Sequence, residues 1–243
     1  MSTHAENLKL RLMTIELLRT AKKQYTYRDL STKTGLPVTV LSRYAKGHVL
    51  PNAERARLLW KTLTKMVGLQ VELRRRIVFN NEGYYDNTDI VGDYNILRQA
   101  GHHALAVFAG RRVTKVLTSA VDGIPLATMV ANSLGVNVVI AKLNKEIGVP
   151  AFIEETFALK DSGVTKTLYI PRDVLKRRDS VLIVDDMVKT GEEMAALVNM
   201  VHKAKAEVSG MYALIAVGDE WQKKMNLPKD CPVEVVTRLT LTK

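Results

Sequence analysis

The sequence predicts two joined parts, a small bundle of helices followed by an α/β domain with a mainly parallel sheet. Residues 1–66 show helical apolar spacing interrupted by turn residues. Residues 113–239 alternate strand-like and helix-like segments, and one strand-like run ends on two carboxylates. Alternation of this kind is typical of a parallel sheet with helices on its faces. We place the boundary near Gly68, which gives domains of residues 1–67 and 68–243.

Residues 181–191 carry the most informative pattern in the second part. The apolar, mostly β-branched run 181–184 fits a central parallel strand, and Asp185 and Asp186 follow it directly. Apolar residues at helical spacing come after Gly191, namely Met194, Leu197, Val198 and Val201. Backbone N–H groups at a helix start favour a phosphate, while adjacent carboxylates can accept hydrogen bonds from two sugar hydroxyls. The pattern favours a sugar phosphate. The alternative is an ordinary strand-loop-helix unit with acids at the sheet edge.

This segment resembles the signature of type I phosphoribosyltransferases, which bind 5-phosphoribosyl-1-pyrophosphate (PRPP) in a loop of the form Asp-Asp-x-x-x-Thr-Gly-x-Thr. The resemblance implies that Asp185 and Asp186 contact the ribose hydroxyls. It also implies that the loop wraps the 5′-phosphate, through Met187, Val188, Lys189, Thr190, Gly191, Glu192 and Glu193. Glu193 departs from the family pattern, since it replaces a hydroxyl that would donate to the phosphate. Lys189 can offset that charge.

A second loop supports the same resemblance. It is similar to the family's pyrophosphate loop and consists of Ser119, Ala120, Val121, Asp122 and Gly123. The following run 124–127, Ile-Pro-Leu-Ala, is similar to the helix that succeeds that loop in the family. Two phosphate-directed loops at one sheet edge fit a ligand with phosphates at both ends of a ribose. Around them we predict strands at 113–117, 136–141, 211–217 and 233–239 and a helix at 124–134.

The first part is punctuated as a helix-turn-helix. Thr26 has capping-box spacing to Asp29, Gly35 can end a helix in the left-handed conformation, and Pro37 can begin the next helix, which we extend to Lys46. The first helix is expected to bury Leu8, Leu12, Ile15 and Leu18. Leu30 and Leu41 join helices two and three, and a closing helix carries Ala56, Leu59, Leu63 and Met66.

The pattern from Thr26 to Pro51 resembles the Cro/CI-type helix-turn-helix family, in which the third helix lies in the major groove of DNA. The resemblance implies base-edge contacts from Val38, Thr39, Ser42 and Arg43. Contacts to the DNA backbone fall to Tyr27, Arg28, Tyr44, Lys46 and His48. A helical protein-docking domain with a basic surface is the alternative.

The charge distribution agrees with DNA as the partner of the first part. Residues 1–66 contain 13 Lys and Arg against 4 Asp and Glu, and residues 67–243 contain 23 against 21. The first quarter thus carries +9 of the net +11. Such asymmetry indicates that the N-terminal segment meets a polyanion.

Compartment and metal expectations come from the cysteines, histidines and hydropathy. One cysteine, Cys231, cannot form an internal disulfide, and we see neither a secretory leader nor an apolar stretch of membrane-spanning length. We expect a cytoplasmic protein without membrane contact. The adjacent pair His102 and His103 does not suit a metal site bound by protein ligands. The family resemblance implies Mg²⁺ held by the ligand near Asp185 and Asp186.

Residues 162–191 also resemble the bacterial purine-operon repressors, whose phosphoribosyltransferase domain senses PRPP without transferring it. The domain order is closer to helix-turn-helix/phosphoribosyltransferase fusions described in archaea. We predict a homodimeric transcriptional regulator of nucleotide metabolism genes that binds a palindromic operator and senses PRPP or a competing nucleotide. The alternative is an active purine or pyrimidine phosphoribosyltransferase. Its mobile loop would span residues 142–169, with Lys142, Lys145, Lys160 and Lys166 as the available cations, and no catalytic residue is identified.

Overall fold

The structure is a computed structural model that describes residues 3–77, 86–159, 163–228 and 230–240. The chain divides into two compact units, Met1–Arg75 and Arg76–Lys243. This division falls later in the chain than the predicted boundary at 67/68. The reason is that residues 69–75 are tied to the first unit, where Gln24 donates to Glu72 over 2.9 Å and accepts from Arg75 over 2.6 Å. Lys160 lies outside the described residues.

The first unit is helical, as predicted. Its helices are α1 (His4–Lys22), α2 (Tyr27–Thr34), α3 (Val38–Ala45), α4 (Ala53–Val67) and α5 (Leu69–Arg76), the last of which ends one residue past the division. The capping box is confirmed, since Thr26 and Asp29 satisfy each other's backbone N–H groups. Gly35 is left-handed, with φ of 70°. Pro37 is the N-cap of α3 and not its first helical residue, and α3 ends at Ala45.

The helices of the first unit pack around one apolar core. Its fully buried residues include Leu18, Leu30, Leu41 and Leu63. Leu8 and Leu12 were expected in this core, but they are 39% and 47% exposed because they lie on the first half of α1, away from the packed stripe. Leu30 and Leu41 hold the two helices together as predicted.

The second unit is an α/β structure, which confirms the predicted fold class. It contains α6 (Thr88–Val91), α7 (Tyr94–Val107), β1 (Lys115–Ser119), α8 (Gly123–Leu134), β2 (Asn137–Ala141), β3 (Phe152–Ala158), β4 (Thr165–Pro171), β5 (Ser180–Val188), α9 (Glu192–Lys203), β6 (Glu207–Val217) and β7 (Val233–Leu239). The main sheet has the order β2-β1-β5-β6-β7, with every neighbouring pair parallel. Its carboxyl ends therefore share one edge, where the loops after β1 and β5 emerge.

Two parts of this unit differ from the prediction. Strand β5 continues through Asp185 and Asp186 to Val188, so the acids lie inside the strand and not beyond its end. The stretch 142–169, expected to be a mobile loop, contains the antiparallel hairpin of β3 and β4 instead. Ile153 and Phe157 of that hairpin are buried against the core that α9 covers. No helix in the described ranges is both long and apolar enough to cross a membrane.

Candidate functional site

The site is built around the acid pair at the centre of the main sheet. Asp185 and Asp186 are 7% and 6% exposed, although a carboxylate is rarely buried without a partner. The Asp185 Oδ1 accepts from the backbone N–H of Asp186 over 3.1 Å. β5 fixes both side chains, because it is paired with β1 on one side and β6 on the other. The central strand therefore holds the pair near the carboxyl edge of the sheet, where the sequence predicts ligand binding.

Burial is the main influence on how this pair ionises. It raises the pKa of Asp185 well above its ordinary value, and the negative charges of Asp186 and Glu193 raise it further. Burial also raises the pKa of Asp186, against the opposing effect of a hydrogen bond from Asn87 and with a further increase from Asp122. The carboxylates of Glu193 and Asp122 therefore act on the acid pair, and all four carboxylates contribute negative charge to the site. A ligand that brings hydroxyl donors and a divalent cation would relieve it.

Asn87 is a residue of this site that the sequence did not reveal. Its Nδ2 donates to the Oδ2 of Asp186 over 2.6 Å. Asn87 immediately precedes α6, and the segment is held in place because Arg76 donates to the backbone oxygen of Asp89 and pairs with Asp93 at 2.8 Å. The 99-residue separation between Asn87 and Asp186 leaves no local pattern to signal the contact.

The loop predicted to hold pyrophosphate lies beside the acid pair. Gly123, at the start of α8, approaches so closely that a Cβ there would lie 2.7 Å from the Oδ1 of Asp185 and 2.3 Å from the Oγ1 of Thr118. The peptide between Ala120 and Val121 is cis. Ser119 is buried, whereas Val121 and Asp122 are exposed. The two predicted loops thus meet at one place, and glycine is needed at the point of contact.

The loop predicted to hold the 5′-phosphate ends at a helix start that no side chain caps. Gly191 is the N-cap of α9 with φ of 85°, and a Cβ at this position would lie 2.9 Å from the backbone of Trp221. Glu192 is turned aside by an ion pair with Lys224, and hydrogen bonding to Lys224 and Thr190 lowers the pKa of Glu192 against the effect of burial. The Glu192 carboxylate also interacts with its own backbone N–H, and the next N–H groups of α9 have no cap from Gly191 and can bind an anion.

The remaining residues of this loop take different environments. Lys189 is exposed, Met187 is half-buried, and Val188 is buried in the strand. Glu193 lies close enough to Asp185 for its charge to raise the pKa of that carboxyl. The substitution that the sequence identified as unusual therefore places an acid beside the acid pair. Trp221 follows β6 and is fully buried, and its indole N–H donates to the backbone oxygen of Gly218 over 2.9 Å. It is therefore a core residue, and its ring is not available to stack on a nucleobase.

The cations of the hairpin region mostly have partners. Lys142 is paired with Glu146, and Lys145 is paired with Glu154 at 2.9 Å and lies 4.9 Å from the centre of the Tyr169 ring. The hydrogen bond to Glu154 raises the pKa of Lys145. These lysines stabilise the hairpin and its connection.

The residues predicted to contact DNA are mostly exposed to solvent, in contrast with the acid pair. Val38, Thr39 and Arg43 of α3 are exposed, and Ser42 is half-buried on the same helix. Among the predicted backbone contacts, Arg28, Lys46 and His48 are exposed and Tyr27 is half-buried. Tyr44 needs correction, because it is 5% exposed in the bundle core and its hydroxyl accepts from Arg55 over 3.1 Å.

The oxygen chemistry of the acid pair suits a hard cation. Mg²⁺ prefers oxygen ligands and commonly takes one or two carboxylates together with phosphates of a substrate. Asp185 and Asp186 supply such carboxylates, and no group of three or more potential metal-ligating side chains exists within the described ranges. The acid pair therefore has the oxygen chemistry that suits a magnesium ion shared with a phosphorylated ligand.

Comparison with known proteins places the second unit. Residues 94–239 match the family model described as phosphoribosyl transferase domain. The purine biosynthesis transcriptional repressor PurR of Bacillus subtilis is 31% identical over 133 residues, which cover 55% of this chain and 47% of the repressor. The xanthine phosphoribosyltransferase of Lactococcus lactis subsp. cremoris is 33% identical over 125 residues, which cover 51% of this chain and 63% of that enzyme. This chain thus spans less than two thirds of either relative.

Solved structures agree with that placement. The adenine phosphoribosyltransferase of Rhodothermus marinus is 28% identical, with a TM-score of 0.60, and the likeness covers 70% of this chain and 98% of that one. The family model alone covers more than half of the residues of this chain. The chain belongs to the phosphoribosyl transferase domain family.

Proposed function

We propose that the protein is a transcriptional regulator whose phosphoribosyltransferase domain binds PRPP, or a competing nucleotide, and thereby changes the affinity of the helix-turn-helix unit for its operator. The observation that carries this proposal is the pairing, in one chain, of an exposed α3 face with a buried acid pair beside an unusual Glu193. The likeness to a purine biosynthesis repressor supports it. Control of nucleotide metabolism genes in the cytoplasm is part of the same proposal.

DNA recognition rests on the first unit. The exposed residues Val38, Thr39 and Arg43 lie on the helix that enters the major groove in helix-turn-helix proteins. Arg28 and Lys46 are exposed on either side of it and are suited to phosphates. The surplus of nine positive charges in residues 1–66 supplies the attraction to a polyanion that base contacts alone do not.

Ligand recognition rests on the second unit. Asp185 and Asp186 accept hydrogen bonds from the two ribose hydroxyls, the open start of α9 binds the 5′-phosphate, and the loop 119–123 faces the pyrophosphate. A magnesium ion bound to the ligand neutralises charge between the pyrophosphate and the acids. Hydroxyl donors and the cation both favour ionised carboxylates, so binding releases the protons that burial retains.

Glu193 supports sensing over transfer. A phosphate at the start of α9 meets a carboxylate at a position where the family signature has a hydroxyl donor. Breaking the bond to pyrophosphate requires stabilisation of the charge that develops on the leaving group. An additional acid opposes that stabilisation, while it leaves hydroxyl recognition by Asp185 and Asp186 intact.

Regulation further requires that the ligand favour one arrangement of the DNA-binding units over another. We propose a homodimer, because two helix-turn-helix units related by a two-fold axis fit a palindromic operator with half-sites about one helical turn apart. The decisive experiment is selection of genomic binding sites by the full chain, with and without PRPP and Mg²⁺, at fixed salt. Selection of one operator class whose occupancy responds to PRPP supports the proposal, whereas sequence-independent binding in both conditions contradicts it.

A catalytic phosphoribosyltransferase is the second candidate, favoured by the 33% identity to a xanthine phosphoribosyltransferase. It is tested by pyrophosphate release from PRPP with each common purine and pyrimidine base. Turnover at ordinary enzymatic rates, about 1 per second or more, would contradict a protein that only senses PRPP. Release at no more than the rate of spontaneous PRPP breakdown with all bases supports it.

A further inference from the structure

The amino edge of the main sheet, opposite the acid pair, carries an unusual concentration of positive charge. We call it the basic edge and define it by three connections, residues 108–115, 172–180 and 203–207, which lead into β1, β5 and β6. They contain nine Lys and Arg against three Asp and Glu. The rest of residues 67–243 contains 14 Lys and Arg against 18 Asp and Glu. The near neutrality of residues 67–243 therefore conceals a local concentration of positive charge.

The three connections form one surface and not three separate patches. Arg112 of the first donates to the backbone oxygen of Arg178 in the second over 2.8 Å. Thr114 of the first donates its hydroxyl to Asp179 of the second over 2.9 Å. Glu207 of the third donates its backbone N–H to the oxygen of Asp179 over 3.0 Å. Direct contacts thus bring the arginines of the different connections together.

The surface is also concave. A cavity of about 470 Å³ has Arg111, Arg112, Glu207 and Asp230 in its lining, and another of about 600 Å³ has Lys115, Lys176, Asp173 and Asp179, so charges balance in both. A third cavity, of about 680 Å³ beside the hairpin, has Lys145, Arg172, Lys203 and Lys205 against Glu154. The third therefore has the excess of positive charge that concentrates a potential attractive to an anion.

Internal compensation accounts for only part of this charge. The basic edge has a surplus of six positive charges. Within the described part of the chain, Lys203 is the cation of this edge that forms an ion pair, and its partner is Glu155. The pair reduces the surplus to five. Helices α7, α8 and α9 end at this edge, and each helix end contributes about half a negative charge. Three helix ends therefore offset roughly 1.5 charges. More than three positive charges of the basic edge therefore remain uncompensated and can attract a partner of opposite charge.

The chemistry of the surface selects among polyanions. Arg111, Arg112, Arg177 and Arg178 are all exposed, and arginine is the side chain best suited to phosphate geometry. Proteins that hold single strands stack unpaired bases on aromatic rings, but the only aromatic residue of the three connections is Phe108, which is 1% exposed. The surface therefore offers contacts to phosphates and none to bases.

We infer that the basic edge is a second DNA-contacting surface, which binds the phosphates of duplex DNA without reading sequence. This inference rests on the proposed function, since it assumes that the full chain binds DNA. It assigns the opposite edges of one sheet to two ligands, with PRPP at the acidic carboxyl edge and the DNA backbone at the basic amino edge.

The test is the salt dependence of DNA binding by the full chain, on a duplex that extends several helical turns beyond a selected site. The test variant is Arg177→Gln with Arg178→Gln. A matched control, Lys223→Gln with Arg238→Gln, removes two exposed positive charges of the same unit outside the basic edge. Each lost phosphate contact reduces the magnitude of the negative slope of log affinity against log salt by about 0.9. We expect the test variant to lose about 1.8 for each bound protomer, or about 3.6 for the proposed dimer, and the control to keep the wild-type slope.

The outcomes separate this inference from the function on which it rests. A lowered slope in the test variant alone, with the same preference among duplex sequences as wild type, supports the basic edge as a phosphate contact. Equal slopes in wild type and both variants overturn the inference and leave the proposed regulator standing. If the wild-type chain binds no duplex at all, the proposed function fails, and the inference fails with it. PRPP affinity, measured on the same samples, confirms that the variants are folded.

Discussion

The candidate contact residues of the two units lie in opposite environments. The first exposes its candidate contacts, since Val38, Thr39 and Arg43 lie in solvent on a helix that buries Leu41 and Tyr44 underneath. The second buries its candidate contacts, since Asp185 and Asp186 are less than a tenth exposed. Exposed cations suit a large partner with charges spread over its surface. Buried carboxylates suit a small ligand whose hydroxyls must satisfy them, because an unpaired buried acid is unfavourable.

The largest expected effect concerns the buried acids. Asp185→Asn removes a charged acceptor for a ribose hydroxyl while keeping the shape of the side chain, and hydrogen bonds to charged groups contribute about 1.5–3 kcal/mol. We expect PRPP affinity with Mg²⁺ to fall roughly 10- to 150-fold in titration calorimetry. Asp173→Asn, an exposed carboxylate at the opposite edge, is the matched control. An affinity within about threefold of wild type for Asp185→Asn would remove this carboxylate from the ligand site.

The exposed unit predicts the next effect. Arg43→Ala should weaken binding to a selected operator by about 5- to 150-fold and relax the preference at one base pair, since a base-edge arginine contributes about 1–3 kcal/mol. Fluorescence anisotropy with the operator and with single-base variants measures both. Lys61→Ala, an exposed lysine of α4, is the control and should keep the base preference. Arg43 would be only a phosphate contact if its replacement weakened all sequences equally.

Burial itself predicts a pH effect that the exposed unit should lack. The folded-state pKa of Asp185 is raised, so wild-type stability falls as the pH rises through that pKa. Asp185→Asn has no such loss, so without ligand its stability relative to wild type should rise as the pH increases from below the ordinary aspartate pKa of about 3.9 to pH 8. Thermal unfolding at pH 3.5 and at pH 8 checks this. A stability difference that is the same at both pH values would contradict a raised pKa of Asp185.

The smallest expected effect tests the backbone of the first unit. Gly35 has φ of 70°, and a Cβ there would meet no atom within 4 Å, so Gly35→Ala suffers from conformation alone. We expect a loss of about 1 kcal/mol in chemical denaturation. Gly35→Asn should lose less, because asparagine tolerates the left-handed conformation. Equal losses for alanine and asparagine would indicate that the turn between α2 and α3 depends on something other than backbone conformation.

Local rules predicted the parts of the fold that local rules determine. The capping box at Thr26, the left-handed Gly35, the helix end at Gly135 and the strand 233–239 all follow from short patterns, and the structure has each of them. Tyr44 could also have been assigned to the core from the sequence, because it lies three residues after Leu41 on one helix face.

Long-range partners account for what the sequence did not predict. The hairpin of β3 and β4 was missed because Glu155 occupies an inward position of β3, where its ion pair with Lys203 compensates a charge that the alternation rule excludes. The continuation of β5 through the acid pair depends on its pairing with β6, up to Val188. Asn87 reaches Asp186 only through the fold. Each miss is a polar residue whose partner is far away in the sequence.

The account as a whole depends on coupling between the buried and the exposed unit. The most direct measurement is a titration of PRPP with Mg²⁺ into the full chain bound to its selected operator, carried out in parallel on Asp185→Asn. We predict a change of at least about fivefold in operator affinity for wild type, corresponding to about 1 kcal/mol of coupling, and no change for the variant. An operator affinity that is the same at zero and saturating PRPP in the wild-type protein would contradict the sensor.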